Sequence, residues 1–330
     1  MKKKGFTLVE LLVVIAVIAL LMGLLMPALA RVRQIAHRMI CGSNLSSIGK
    51  GCLLYAQDHD EEFPKGGLLI GNAVKWTTDG EIGNPYGLTR YDAFGTRESA
   101  TVTSALCLLV KYTETTPKTF NCRGDEGVKE FTLNEVAALE SQPQIKDVTD
   151  VWDFGDKTES KLYPGMYNSY AYHSPYDEGD QLRGFPITPI SSPESPLAAD
   201  RNPFLDKNAA SYLGDAKLEN AQWQSDQAGD YYLDEDRKEQ AAAHQREGQN
   251  VLFQDGHVDH ARSPNCGIRS DNIWKFWPVA RGETPTDEAQ RQVGNTAGEP
   301  KNNGDYGPKS EEDAYLVSEI NAYTGDKWGR

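Results

Sequence analysis

The sequence predicts an α+β protein: a long N-terminal helix, partly membrane-spanning, packed on an antiparallel β-sheet head with large loop insertions. Three observations carry this. Residues 6–30 form an almost uninterrupted apolar run. Apolar residues then recur at helical spacing to about residue 60. Beyond that point, short β-rich runs alternate with Gly-, Pro- and Asp-rich stretches, and the clearest, VLFQDGHVDH at residues 251–260, contains an Asp-Gly turn signal.

From Phe6 to Ala30 the run holds 25 residues, with Glu10 as its single charge. At 1.5 Å rise per residue, roughly 20 apolar residues cross a bilayer core. The run is too long for the apolar region of a cleaved secretory peptide. A carboxylate in a membrane helix costs about 2.5–3.5 kcal/mol on insertion scales, so Glu10 implies a functional partner. Pro27 removes one backbone donor and should kink or loosen the helix. Past it, Leu29, Val32, Ala36, Met39, Ile40, Ile48 and Cys52 mark an amphipathic continuation, residues 31–60, which is expected to end between Tyr55 and Asp60 and to lay this stripe on the head. Gly42, Gly49 and Gly51 weaken its second half.

The leader Lys2-Lys3-Lys4-Gly5 followed by FTLVELLVVIAVIALL resembles the N-terminus of type IV prepilins and type II secretion pseudopilins. The resemblance implies a pilin-like fold, with residues 1–5 as the prepilin leader and 6–30 as the assembly helix. It implies cleavage by prepilin peptidase between Gly5 and Phe6, N-methylation of Phe6, and pairing of Glu10 with the terminal amine of a neighbouring subunit. A carboxylate and an ammonium buried together in lipid offset each other's desolvation, which fits that role. Basic residues flank both ends of the apolar run, so charge alone does not orient it. The leader does: the peptidase acts in the cytoplasm, which puts the bulk of the chain outside a single-pass inner-membrane anchor.

Charge is distributed unevenly. The first 38 residues hold Lys2, Lys3, Lys4, Arg31, Arg33 and Arg38 against Glu10, while the whole 330-residue chain carries −14. The acidity therefore lies in residues 61–330, the expected extracytoplasmic head. Such a head lacks the basic footprint that nucleic acid requires. Of five cysteines, Cys41 and Cys52 lie about three turns apart on one helix and do not bridge each other. Cys107 and Cys122 would close a loop of about 15 residues, worth roughly 3 kcal/mol as a disulfide; free buried thiols are the other reading. The absence of a Cys-x-x-Cys pair argues against zinc.

Further matches narrow the resemblance to a subgroup of prepilin-like proteins abundant in planctomycetes. Cys41, Asn44, Leu45, Tyr55, Phe63 and Pro64 match its Cys-x-x-Asn-Leu helix end and the turn that follows. The apolar run at 106–113 matches a helix leading to Cys-Pro-x-Asp, which here reads Cys122-Arg123-Gly124-Asp125. Residues 163–173, 197–200 and 315–317 read as strands, 203–243 as an acidic insertion and 281–312 as a mobile loop. His244, Asp255 and Gly256 match the C-terminal prepilin processing-associated signature of a His, nine residues, then Asp-Gly, with ten residues intervening here. Asn265–Trp274 matches a tail feature of the same subgroup. A two-residue type I′ turn at Asp255-Gly256 would pair Phe253 with Val258, Val251 with His260, Leu252 with Asp259 and Gln254 with His257. Phe253 and Val258 would then be buried, and Gln254 and His257 exposed.

No catalytic set is expected. The chain contains no G-x-S-x-G, HExxH or P-loop. His244, His257, His260 and Asp255 do not suit a metal, because His257 and His260 point to opposite faces of the hairpin. No cofactor is expected, with Ca²⁺ alone left open. Asp200, Asp206, Asp230, Asp234 and Asp236 offer oxygen ligands without EF-hand spacing, against the reading of a solvated acidic loop. Two functions stand side by side. The first is a structural subunit of a type IV pilus or type II secretion pseudopilus, whose partners are prepilin peptidase, other pilin or pseudopilin subunits and the inner membrane. The second is a membrane-anchored periplasmic or surface binding protein with a prepilin-type leader.

Overall fold

The computed structural model of the chain describes residues 8–66, 75–76, 89, 93, 99–100, 102–125, 128–133, 145–154, 167–173, 185–203, 241–244, 247–280, 282–292 and 308–317. Helix α1, Leu8–Asp58, continues through Pro27 as one helix and ends inside the expected window. Among the described residues it is the one helix long and apolar enough to cross a membrane.

The head is built on a five-stranded sheet, antiparallel throughout. Its strands are β3 (Tyr170–His173), β4 (Pro196–Asp200), β5 (Gln249–Phe253), β6 (Val258–Ala261) and β7 (Leu316–Val317). Their spatial order is β6-β5-β4-β3-β7. A separate two-residue parallel pair joins β1 (Lys75–Trp76) to β2 (Ser99–Ala100). Helix α2 (Val102–Tyr112) lies beside α1, and a short α3 (Glu288–Gln292) precedes the last strand.

Helix α1 divides by burial. No residue from Leu8 to Ile40 is buried. Cys41, Leu45, Ile48, Cys52, Tyr55 and Ala56 then form one buried face at three- and four-residue intervals. The expected stripe therefore meets the head only in its second half; Leu29, Val32, Met39 and Ile40 stay exposed. The glycines there permit close approach rather than merely weakening the helix. A Cβ on Gly49 would lie 2.8 Å from Leu252 Cδ1 of β5, and one on Gly51 would lie 2.9 Å from Thr115 Oγ1 just beyond α2.

Both faces of the sheet are covered, so β3, β4 and β5 are buried along their whole lengths. Tyr170, Tyr172, Ala198 and Leu252 face the main core under α1 and α2. Ala171, Ala199, Val251, Phe253 and Leu316 face a second core with Ile273 and Trp274. Central strands buried on both sides read as continuous apolar runs instead of alternating ones.

The hairpin at 251–260 differs from the expected register by one residue. Leu252 pairs with Val258, Val251 with Asp259 and Asn250 with His260. The Phe253 N–H donates to His257 O at 3.0 Å, and the Gly256 N–H donates to Phe253 O at 2.9 Å. The connection is thus a three-residue loop, Gln254-Asp255-Gly256, with Gly256 alone at φ +89°. A type I turn closed by a left-handed glycine competes with the two-residue turn for the same Asp-Gly sequence. A one-residue slip reverses faces. Phe253 and Val258 consequently lie on opposite faces: Phe253 in the second core, Val258 half-buried under α1. Gln254, expected to be exposed, is buried, and its amide donates to Pro189 O at 2.6 Å. His257 is exposed.

The C-terminal strand is secured by two buried carboxylates. Asp271 accepts from Trp277 Nε1 at 2.6 Å and from the Ala314 N–H at 2.8 Å. Asp313 accepts from the N–H groups of Trp277 at 3.0 Å and Lys309 at 2.7 Å. Burial pushes the Asp313 carboxyl up to about 7, against the lowering effect of those N–H groups. Burial, and then the charge of Asp313, holds Asp271 well above the usual carboxylate range.

Two outcomes are expected. Gly256→Val puts a β-branched residue at a left-handed φ, a strain of about 1–3 kcal/mol; the melting midpoint of the detergent-solubilised chain should fall, and an unchanged midpoint would contradict the turn. A carboxyl whose pKa is raised on folding stabilises while protonated. Stability should therefore fall as pH rises from about 4, the unfolded value, to about 7, the folded one, by on the order of a few kcal/mol. Chemical denaturation across that range should show the decline, and Asp313→Asn should reduce it, leaving the part that the buried Asp271 carboxyl contributes.

Candidate functional site

Two parts of the chain concentrate functional residues. The first is the N-terminal helix. Glu10 lies on α1 with an exposed side chain, in a stretch where Leu8, Val9, Leu11 and Leu12 are exposed as well. Gly5 and Phe6 lie outside the described residues.

The second is where α1 enters the head. The polypeptide brings together Cys41 from α1, Cys122 just after the short 3-10 turn Pro117–Phe120, Asp200 at the end of β4, and His244 at the end of the turn Ala242–His244. Cys41 and Cys122 form a disulfide, with Cα atoms 5.4 Å apart and a sequence separation of 81. This corrects the candidate Cys107–Cys122 pairing. Cys107 is instead a free thiol inside α2, within 3.8 Å of Val151 O, and burial pushes it well above its ordinary range. The helical run that carries Cys107 turns it into the core; Cys122 lies across from α1.

Polar groups surround this disulfide. His244 Nε2 lies 3.2 Å from Asp200 Oδ2, 3.9 Å from Cys122 Sγ and 3.3 Å from Asn250 Nδ2. Asp200 Oδ2 accepts the Asn250 N–H at 2.7 Å, while Asp200 Oδ1 is buried with no hydrogen-bond partner among the described residues. The Asn250 side chain reaches Arg38 O and His260 Nδ1, each at 3.3 Å. Asn44 Nδ2 donates to Asn121 O and to the Tyr170 hydroxyl, both at 3.1 Å. Gly124 packs against His244: a Cβ there would lie 2.4 Å from Ala243 O. The Cys122–Asp125 turn closes through the Asp125 N–H on Cys122 O at 3.0 Å. Outside this centre, Glu247 meets Arg31 at 3.4 Å and Arg38 at 3.1 Å, exposed pairs of small energetic weight.

The other signature residues occupy different ground. Asp255 and Gly256 form the hairpin tip; Asp255 is exposed and accepts from the His257 N–H at 3.0 Å, which holds its carboxyl below the usual range. Asn250, near the start of β5, meets His244, while Asp255-Gly256 follows the end of β5. His244 and Asp255-Gly256 therefore lie toward opposite ends of β5 and do not converge on one point. Of the carboxylates considered for Ca²⁺, Asp200 is buried at this centre; Asp206, Asp230, Asp234 and Asp236 lie outside the described residues. Sequence reasoning missed the roles of Asp200 and Asn250 and the Cys41 partnership. The usable signal was that Cys41 and Cys122 each head a short polar motif, Cys-x-x-Asn and Cys-x-x-Asp.

The prokaryotic N-terminal methylation motif matches residues 1–26. That match supports a type IV pilin-like precursor, and the apolar helix fits a single-pass membrane anchor. No curated protein and no solved structure matches.

The disulfide ties α1 to a segment 81 residues away, which restricts the unfolded chain by about 4.5 kcal/mol in the loop-entropy description. Replacing both Cys41 and Cys122 by Ala should lower the melting midpoint by about 10 °C. Cys107→Ala removes no cross-link and should cost much less.

Proposed function

We propose that this chain is a structural subunit: a prepilin-like precursor cut between Gly5 and Phe6 by prepilin peptidase, methylated on Phe6, and assembled through α1 into a type IV pilus or a type II secretion pseudopilus. The observation that carries this reading is the methylation motif over residues 1–26, continuous with a helix whose apolar run is uncovered from Leu8 to Ala30. An uncovered apolar stretch of that length suits lipid before assembly and neighbouring helices afterwards. In this reading the head lies outside the inner membrane. Glu10 neutralises the methylated amine of an adjacent subunit, since a carboxylate and an ammonium in lipid each need a partner. The role is architectural and requires neither a catalytic set nor a cofactor.

Gly5→Val crowds the scissile bond and should leave the leader attached, as read by intact mass; a wild-type chain that keeps Met1–Gly5 would remove the basis of the proposal. Glu10→Leu should leave insertion and cleavage intact and reduce fibre-incorporated subunit by more than about tenfold, since an unpaired charge in lipid costs about 2.5–3.5 kcal/mol. Normal fibre yield from Glu10→Leu would contradict the assembly role.

A further inference from the structure

We infer that the four groups at the base of the head, Cys41, Cys122, Asp200 and His244, form a binding site for a Zn²⁺-type divalent ion when the cysteines are reduced, and that metal and disulfide are mutually exclusive occupants of this centre. The donor set is the first observation. Two thiolates, an imidazole and a carboxylate are the ligands that a borderline-soft tetrahedral ion takes. All four donor atoms lie within 4.8 Å of one another, and all four residues are buried.

Geometry is the second. With metal–ligand bonds of about 2.0–2.1 Å to nitrogen or oxygen and about 2.3 Å to sulfur, a tetrahedral site has edges of about 3.3 Å for N···O and about 3.6 Å for N···S. His244 Nε2 stands 3.2 Å from Asp200 Oδ2 and 3.9 Å from Cys122 Sγ, close to those edges without rearrangement. The two sulfurs have to part, to about 3.8 Å, and the remaining donor pairs, all within 4.8 Å, have to settle near the same edge lengths. The cysteine Cα atoms, 5.4 Å apart, leave room for the sulfurs to part by side-chain rotation.

The third observation is the unpartnered Asp200 Oδ1, buried at the centre of the head. A buried carboxylate with one oxygen lacking a donor is costly, and a cation held by Oδ2 neutralises the charge that both oxygens share. Asn250 supports the carboxylate from behind, its N–H holding Asp200 Oδ2 at 2.7 Å, while its side-chain amide, 3.3 Å from His244 Nε2, has to give up that contact for the nitrogen to take the ion. The lack of a Cys-x-x-Cys pair did not exclude such a site, because its ligands come from four separate elements.

The chemistry balances simply. Metal binding releases the two thiol protons to solvent, with no redox change. Closure of the disulfide needs a two-electron acceptor, supplied by an external disulfide through thiol–disulfide exchange. That reagent leaves as two thiols with two protons from water, the Cys41–Cys122 bond forms, and the ion departs. The reduced head would thus keep α1 tied to the sheet by a metal until the covalent link replaces it. This inference is independent of fibre assembly.

The test uses the full chain in detergent, reduced with a phosphine and titrated with Co²⁺. Reduced wild type should bind one Co²⁺ per chain, with thiolate-to-cobalt charge-transfer absorption and the strong visible bands of a tetrahedral ion. Oxidised wild type should show neither, and oxidised glutathione added to the loaded protein should abolish both as the ion is released. Cys122→Ser should lose the charge-transfer intensity of a two-thiolate site, and Asp200→Asn should bind more than about tenfold more weakly. Circular dichroism of the reduced chain checks that the head stays folded. Absence of the charge-transfer band in reduced wild type, folded or not, overturns the inference. Equal spectra for wild type and Cys122→Ser also overturn it, because the free thiols Cys52, Cys107 and Cys266 would then account for the binding.

Discussion

The head depends on the seating of one helical face, Cys41 to Ala56, on the sheet. Leu45, Ile48 and Cys52 are fully buried there, and Gly49 lets the helix backbone come down onto Leu252 of β5. Burying such side chains contributes about 1.5–3 kcal/mol each. A lone β-hairpin is marginal in water. Here β5 and β6 gain α1 on one face, β4 at the edge and the 263–280 segment on the other face, with the Leu316 N–H bonded to Ile273 O at 2.8 Å. Removing α1 from this arrangement would expose the main core.

The same helix serves two solvents. Its second half has a polar side and a buried face, as a helix on a soluble domain does. Its first half is apolar on all sides and uncovered, as only lipid or other helices would satisfy. The change of environment falls at Arg38–Cys41, and the structure places the disulfide and the Asn250 contact with Arg38 O there, with the two arginine pairs of Glu247 adding little. Force or thermal motion in the anchoring half would reach the head at this junction, which gives a physical reason for a covalent link so close to the point of exit. At the far side of the sheet, Asp271 and Asp313 do by hydrogen bonding what the disulfide does covalently. They hold β7 in place through the backbone of residues 309–314 and the indole of Trp277.

The buried polar groups separate into two kinds. Asn44, Asn168 and Asn202 satisfy backbone carbonyls where strands and loops end, a requirement of any buried chain. Asp200 and His244 go beyond that requirement, since one carboxylate oxygen stays without a donor while the histidine faces both the carboxylate and the disulfide. Structural need accounts for the first kind; the second marks a chemically poised centre.

Local pattern determined a good deal by itself. The apolar run and its glutamate specified an anchor helix, because membrane burial is a property of composition over 20 or more residues. The strands read from the sequence at 163–173, 197–200 and 315–317 as short apolar or aromatic segments between turn residues contain β3, most of β4 and β7, and the helix end expected between Tyr55 and Asp60 holds. Tertiary structure decided the rest. The hairpin register depended on which of two turns Asp255-Gly256 adopts, and packing on both faces selected the three-residue loop that buries Phe253 on one side and Leu252 on the other. The part of the α1 stripe that touches the head depended on where the sheet stands along the helix. The disulfide followed from three-dimensional proximity, which no spacing between Cys41 and Cys122 reveals; the nearer Cys107 lost because its helix turns it inward. Asp200, His244 and Asn250 became neighbours only when β4 and β5 paired, since adjacency between strands is set by pairing and not by distance along the chain.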